Sequence, residues 1–130
     1  MAGTAGKGVR DVVITVAVAV FFFGMGGYAL VAPAALVRPF GLGAATADAR
    51  TEIRAVYGGF GLAVGGLLAA AAADAGGIRT GAVVAVAVAL LGMAGGRLVA
   101  RCVERPSAFY PSWLYFWVET VAGVLLLVAR

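Results

Sequence analysis

Apolar residues fall into four long runs separated by short polar links. A helix needs about 20 mostly apolar residues to cross a bilayer. The runs predict spanning helices over 12–32, 53–73, 81–100 and 112–129. The first is uncharged and ends at Pro33. The second carries Arg54 near its start, the third Arg97 near its end, and the fourth contains Glu119. The expected fold is all-α: a single integral membrane domain over 1–130, a four-helix bundle with up-down topology.

The links sharpen these boundaries. The first, 33–51, holds Pro39, Gly41, Gly43 and Asp48, and its Leu36-Val37-Arg38-Pro39-Phe40 piece suits the membrane interface. Asp48 or Thr46 is positioned to cap the second helix. The second link, Asp74-Ala75-Gly76-Gly77-Ile78-Arg79, predicts a tight hairpin. The third holds Pro106 and Pro111, which stop one helix and start the next.

Composition agrees. Of 130 residues, 63% are hydrophobic and 12% charged, against roughly 45–50% and ~25% in soluble domains. The net charge of +4 would suggest nucleic acid in a soluble protein. Here the arginines flank apolar runs, which reads as membrane topology and argues against a nucleic-acid partner. A cleaved secretory signal is a rival reading of the first run, but its apolar stretch exceeds the ~7–15 residues of a signal core.

An even number of spans puts both termini on one side, with Lys7, Arg10, Arg79 and Arg130. The other side has Arg38, Arg50, Arg54, Arg97, Arg101 and Arg105. Raw count favours the second side as cytoplasmic. Setting Arg54 and Arg97 aside as pocket residues makes the count even. The first helix then tips the expectation towards cytoplasmic termini, in a bacterial inner membrane.

The chain has no His and one Cys, Cys102. Haem held by His, a His-based zinc site, a Ser-His-Asp triad and a dithiol centre are therefore unavailable. No phosphate-binding Gly-rich loop occurs, and no cofactor or metal site is expected. Gly61-x-x-x-Gly65 and Gly92-x-x-x-Gly96 are small-xxx-small patterns that let helices approach closely in lipid. Gly24 and Gly27 are candidates for the same role in the first helix. Packing within the chain is the simpler use of these glycines. A homo-oligomer seam through Gly61/Gly65 or Gly92/Gly96 is the sharper one.

Up-down topology brings the start of the second helix, the end of the third and the start of the fourth to one membrane face. Glu52, Arg54, Tyr57, Arg97, Arg101, Glu104, Tyr110, Trp113, Tyr115, Trp117 and Glu119 gather there. Glu119 lies seven residues into the fourth predicted helix, roughly 10 Å below its start. A carboxyl group at that depth must be neutral or paired. Arg97 lies at comparable depth and is the preferred partner, with Arg54 second. Arg50, Arg54, Tyr57, Gly61 and Gly65 form one stripe on the second helix, and Ser112, Tyr115, Phe116 and Glu119 one face of the fourth. Against this stands a structural reading: aromatic residues form interfacial belts, arginines near helix ends snorkel, and a buried ion pair can hold helices together.

The segment Arg50-Thr51-Glu52-Ile53-Arg54-Ala55-Val56-Tyr57-Gly58-Gly59, with Gly96-Arg97 and Glu119, resembles bacterial domain-of-unknown-function family 4345 across nearly the whole chain. The resemblance implies four spans, a bacterial inner membrane and an architecture similar to small DoxX-type proteins. It implies no reaction.

Three functions compete. The first is a protein that binds or converts a lipophilic small molecule from the bilayer by metal-free acid/base chemistry of isomerase or cyclase type. Its pocket would use Tyr57, Tyr115, Phe116 and Trp117 as walls. Arg54, Arg97 and Arg101 would hold an anionic or carbonyl group, and Glu119 or Glu52 would move a proton. The second is a non-catalytic accessory or scaffold protein with an Arg–Glu clasp. The third is a small oligomeric transporter, disfavoured because the charges sit at one end and not at mid-membrane.

Overall fold

Each apolar run is a helix, and the helices outlast the runs. The computed structural model describes residues 2–104 and 109–130. Arg105, Pro106 and the side chain of Lys7 lie outside the described part. The first span is Ala2–Val31, the second Ala47–Ala72, the third Arg79–Val103 and the fourth Phe109–Ala129. Among the described residues there is no strand. Lengths of 21 to 26 residues across the four apolar windows reach the ~30 Å of a hydrocarbon core. The chain is a four-span membrane protein by length and composition.

The second span starts at Ala47, six residues before the apolar run, because its polar first turn is capped. Thr46 Oγ1 accepts from the Ala49 N–H at 3.0 Å, so Thr46 and not Asp48 is the cap. The hairpin between the second and third spans is as tight as expected. Its Gly76 and Gly77 have φ of 62° and 69°, a region glycine enters without steric cost. Arg79 turns back across it: Nε donates to the Ala71 carbonyl at 3.0 Å and Nη2 to the Ala72 carbonyl at 2.8 Å. Those carbonyls end the second span and lack their i+4 donors; the Ala71 carbonyl also accepts from the Asp74 N–H at 2.9 Å.

Glycine sets the helix spacing. A Cβ on Gly26 would meet the Gly58 carbonyl oxygen and the Leu62 amide nitrogen, both at 2.9 Å. Gly61 and Gly65 face Gly26 and Phe23 of the first span. Gly123 does the same for the fourth span, where a Cβ would lie 2.8 Å from the Leu91 side chain. The first and second spans thus form one closely packed pair, the third and fourth another. Gly61 and Gly65 are thus engaged within the chain, the simpler of the two uses expected of them. The expected role of Gly24 and Gly27 passes to Gly26, since nothing lies within 4 Å of a Cβ at either of them. Open space also faces Gly92 and Gly96.

The interior has two unequal halves. Leu68, Ala71, Val83, Ala87 and Leu126 are fully buried in a dry apolar core, joined by Val18, Phe22 and Leu90. This core lies towards the end of the second and fourth spans and the start of the third. The other half is loosened by polar groups and covered by the first link. That link is not an open loop. After Ala32 breaks the helix (φ −135°, ψ 65°), Pro33–Val37 forms a short helix and Arg38–Phe40 a 3-10 turn. Val37 is 2% exposed.

Candidate functional site

At the polar end, Arg97 and Glu119 meet edge to edge. Arg97 Nε donates to Glu119 Oε2 and Nη2 to Oε1, both at 2.9 Å. Glu119 is 4% exposed in the midst of apolar helices. Both its oxygens are engaged, and the described residues contain no buried side-chain polar atom without a partner. This planar fork is a geometry that Arg provides and Lys does not. Helix periodicity aligns Arg97 with Arg101 on the third span, yet only Arg97 is deep enough to reach Glu119.

Beside the pair is a cavity of about 200 Å³. All four spans contribute: Met25 from the first, Tyr57 from the second, Met93 and Arg97 from the third, Tyr115 and Glu119 from the fourth. The first link closes it with Leu36, Val37, Phe40 and Leu42. Phe40 reaches the Tyr115 ring, with centroids 5.5 Å apart. The Arg97 guanidinium lies 6.0 Å from the Phe40 ring centre and 5.8 Å from that of Tyr115, the outer limit of cation–π attraction. The cation is therefore held by one carboxylate and flanked by two rings.

Tyr57, Arg97, Tyr115 and Glu119 are brought together as expected. Five other residues are not. Arg54 turns to the first span, where its Nε donates to the Leu30 carbonyl at 3.0 Å. Ala32 and Pro33 interrupt the helix there and leave that carbonyl without its i+4 donor. Glu52 is exposed and makes no ion pair among the described residues. Arg101 is exposed at the rim, 5.3 Å over the Trp113 ring. Phe116 stacks edge-on against Trp113 and Trp117, each at 5.1 Å, and Trp117 is 53% exposed on the outer face. The reason is angular. Successive helical residues are about 100° apart, so Tyr115 and Glu119 share a direction while Phe116 and Trp117 turn away.

The second span departs from ideal periodicity. Residues Arg54–Gly59 form a π-helical turn, with the Phe60 N–H reaching the Ala55 carbonyl. The expected single stripe splits: Arg54, Gly58, Gly61 and Gly65 address the first span, while Tyr57 turns to the cavity. Single π turns recur at functional sites. Phe40, Met25 and Met93 complete the cavity and were not expected there. The one signal for Phe40 was the apolar Leu36–Phe40 stretch after a helix-breaking proline.

Residues 12–130 match the family model described as Domain of unknown function (DUF4345). The chain belongs to the DUF4345 family. No curated protein and no solved structure matches it. Within this family member, the segment that opens the second span supplies the first span's carbonyl clamp (Arg54), a cavity wall (Tyr57) and a close-packing glycine (Gly58).

Proposed function

We propose that this protein binds a lipophilic small molecule in the Arg97–Glu119 cavity and shifts protons on it. The observation that carries this reading is a buried carboxylate whose cationic partner still has donors to offer. A guanidinium has five N–H donors, and two are given to Glu119. The other three make no hydrogen bond among the described residues, and Arg97 lines the cavity, where a carbonyl oxygen can accept from them. A carbonyl bound there is polarised, and the protons on its α-carbon become more acidic. Arg97 drawn towards that oxygen leaves Glu119 as a base in an apolar setting. Glu119 removes an α-proton to leave an enolate held by Arg97, then returns it to the same or a conjugated carbon. The net reaction is an isomerisation with no change in oxidation state.

The membrane setting belongs to the same proposal: a bacterial inner membrane, with both termini cytoplasmic. The support is the family resemblance and the basic residues Lys7 and Arg10 before the first apolar run.

The test is hydrogen exchange on a long-chain methyl ketone in deuterated buffer, with the protein in phosphatidylcholine nanodiscs. Wild-type protein should accelerate α-deuteration over empty nanodiscs. Glu119→Gln should reduce that acceleration by roughly 10²-fold or more with its melting temperature largely kept. Absence of acceleration by the wild type sinks the catalytic reading.

A second reading, a structural clasp in an accessory protein, is supported by the complete pairing of Glu119. On that reading, reversing the pair (Arg97→Glu with Glu119→Arg) restores the melting temperature lost in either single variant. On the catalytic reading, stability restored in this way does not bring back exchange.

A further inference from the structure

The cavity beside Arg97 is too small for a lipid-like molecule. Its 200 Å³ falls below the ~300–1,000 Å³ usual for small-molecule sites, so only a head group fits. The structure provides room for the rest. A groove of about 420 Å³ adjoins the cavity and shares Met25, Leu36 and Tyr115 with it. A second groove, of about 430 Å³, continues from the first and shares Phe21. Together they follow the seam between the first and fourth spans, facing the bilayer.

The seam is open for an identifiable reason. Close glycine contacts join the first span to the second and the third to the fourth, and among the described residues none joins the first to the fourth. On the first span Ala17, Phe21, Gly24 and Tyr28 follow i, i+4, i+7, i+11 and form one wall. Leu114, Val118, Val121 and Leu125 form the facing wall. From Tyr115 to Leu125 the track is roughly 15 Å long. Gly24 is a gap in the first wall, with nothing within 4 Å of a Cβ there.

We infer that this seam is the tail site of a single-chain amphiphile whose uncharged, carbonyl-bearing head occupies the Arg97 cavity. The inference rests on the binding reading above and adds the ligand's class and its route from the bilayer. Charge decides the head. Arg97 and Glu119 already cancel, so an anionic head would add an unbalanced charge beside a buried carboxylate. A neutral carbonyl oxygen needs only the donors that Arg97 has left. The tail needs no polar partner, and the groove walls are apolar apart from the Tyr28 and Tyr115 hydroxyls at the head end and the Trp117 indole N–H.

Trp117 lines the lower groove and can report a tail directly. The protein has two tryptophans, so Trp113→Phe leaves Trp117 as the lone emitter. The probe is a long-chain methyl ketone with bromine near the end of its tail, titrated into phosphatidylcholine nanodiscs. Quenching should saturate. Gly24→Leu, which fills open space and leaves the close-packed pairs untouched, should weaken apparent affinity roughly tenfold or more. The tail-brominated carboxylate of equal length should bind roughly tenfold more weakly than the ketone at neutral pH. Linear, unsaturable quenching, or equal ketone affinity in Gly24→Leu and wild type, overturns the tail site. A carboxylate as tight as the ketone overturns the neutral head. The double variant Arg97→Gln/Glu119→Gln separates the two readings. If it abolishes binding and Gly24→Leu does not, the cavity stands and the seam fails. If Gly24→Leu weakens binding and the double variant leaves it unchanged, the tail lies in the seam and the Arg97 cavity does not hold the head.

Discussion

Glu119 depends on Arg97 more than Arg97 depends on Glu119. The Glu119 side chain is 5% exposed, that of Arg97 27%. Removing the cation leaves a buried acid with no partner, at a cost of about 3–5 kcal/mol. Removing the acid leaves a cation with aromatic neighbours and a path to the interface. Arg97→Met should therefore lower the melting temperature in detergent far more than Glu119→Gln does. Equal losses would mean that the pair is not buried as described. Arg54 obeys a different logic. It completes a helix end, so Arg54→Met should cost about 1–2 kcal/mol through the exposed Leu30 carbonyl and leave ketone binding unchanged. A binding loss without a stability loss would return Arg54 to the site.

At the scale of elements, bilayer helices associate by contact and not by exclusion from water, since lipid is as apolar as the helices. The Gly26–Gly58–Gly61 contact is therefore the main attachment of the first span to the second. Gly26→Leu drives a side chain into backbone atoms that cannot move aside. It should cost at least the 1–3 kcal/mol of overpacking, seen as a lower melting temperature or separation of the spans. Gly24→Leu, two residues earlier on a different face, should leave the melting temperature within a few degrees of wild type. This contrast also guards the binding test, because a fold defect in Gly24→Leu would be visible at once. The π turn at Arg54–Gly59 belongs to this scale. It rotates the polar start of the second span relative to its glycines, so that one helix packs tightly below and lines a cavity above.

The whole molecule is a dry half joined to a polar half, with one exposed cysteine at the polar end. Cys102 follows Arg101 near the end of the third span, on the face opposite to both termini. With the termini in the cytoplasm, a membrane-impermeant maleimide should label Cys102 in intact cells. Labelling only after lysis would place the termini outside.

The four spans, their order and the end that collects charge were all legible along the chain. They follow from run length, proline and glycine positions, and the alternation of direction that successive spans impose. The Arg97–Glu119 pair was legible too, because depth along two helices can be counted in residues. Which side chains face inward was another matter. Arg54, Phe116 and Trp117 were expected to line the cavity beside Arg97 and do not, while Phe40 and Met93 do. A rotation of about 100° separates a cavity wall from the lipid face. That rotation is set by the π turn, by glycine contacts between spans and by the folded first link, and of these only the Gly61-x-x-x-Gly65 repeat leaves a periodic trace in the sequence. Sequence determined where polar groups must lie, since the bilayer charges for each one at every depth. Tertiary structure decided which of them meet, because meeting depends on helix rotation and on what covers the end.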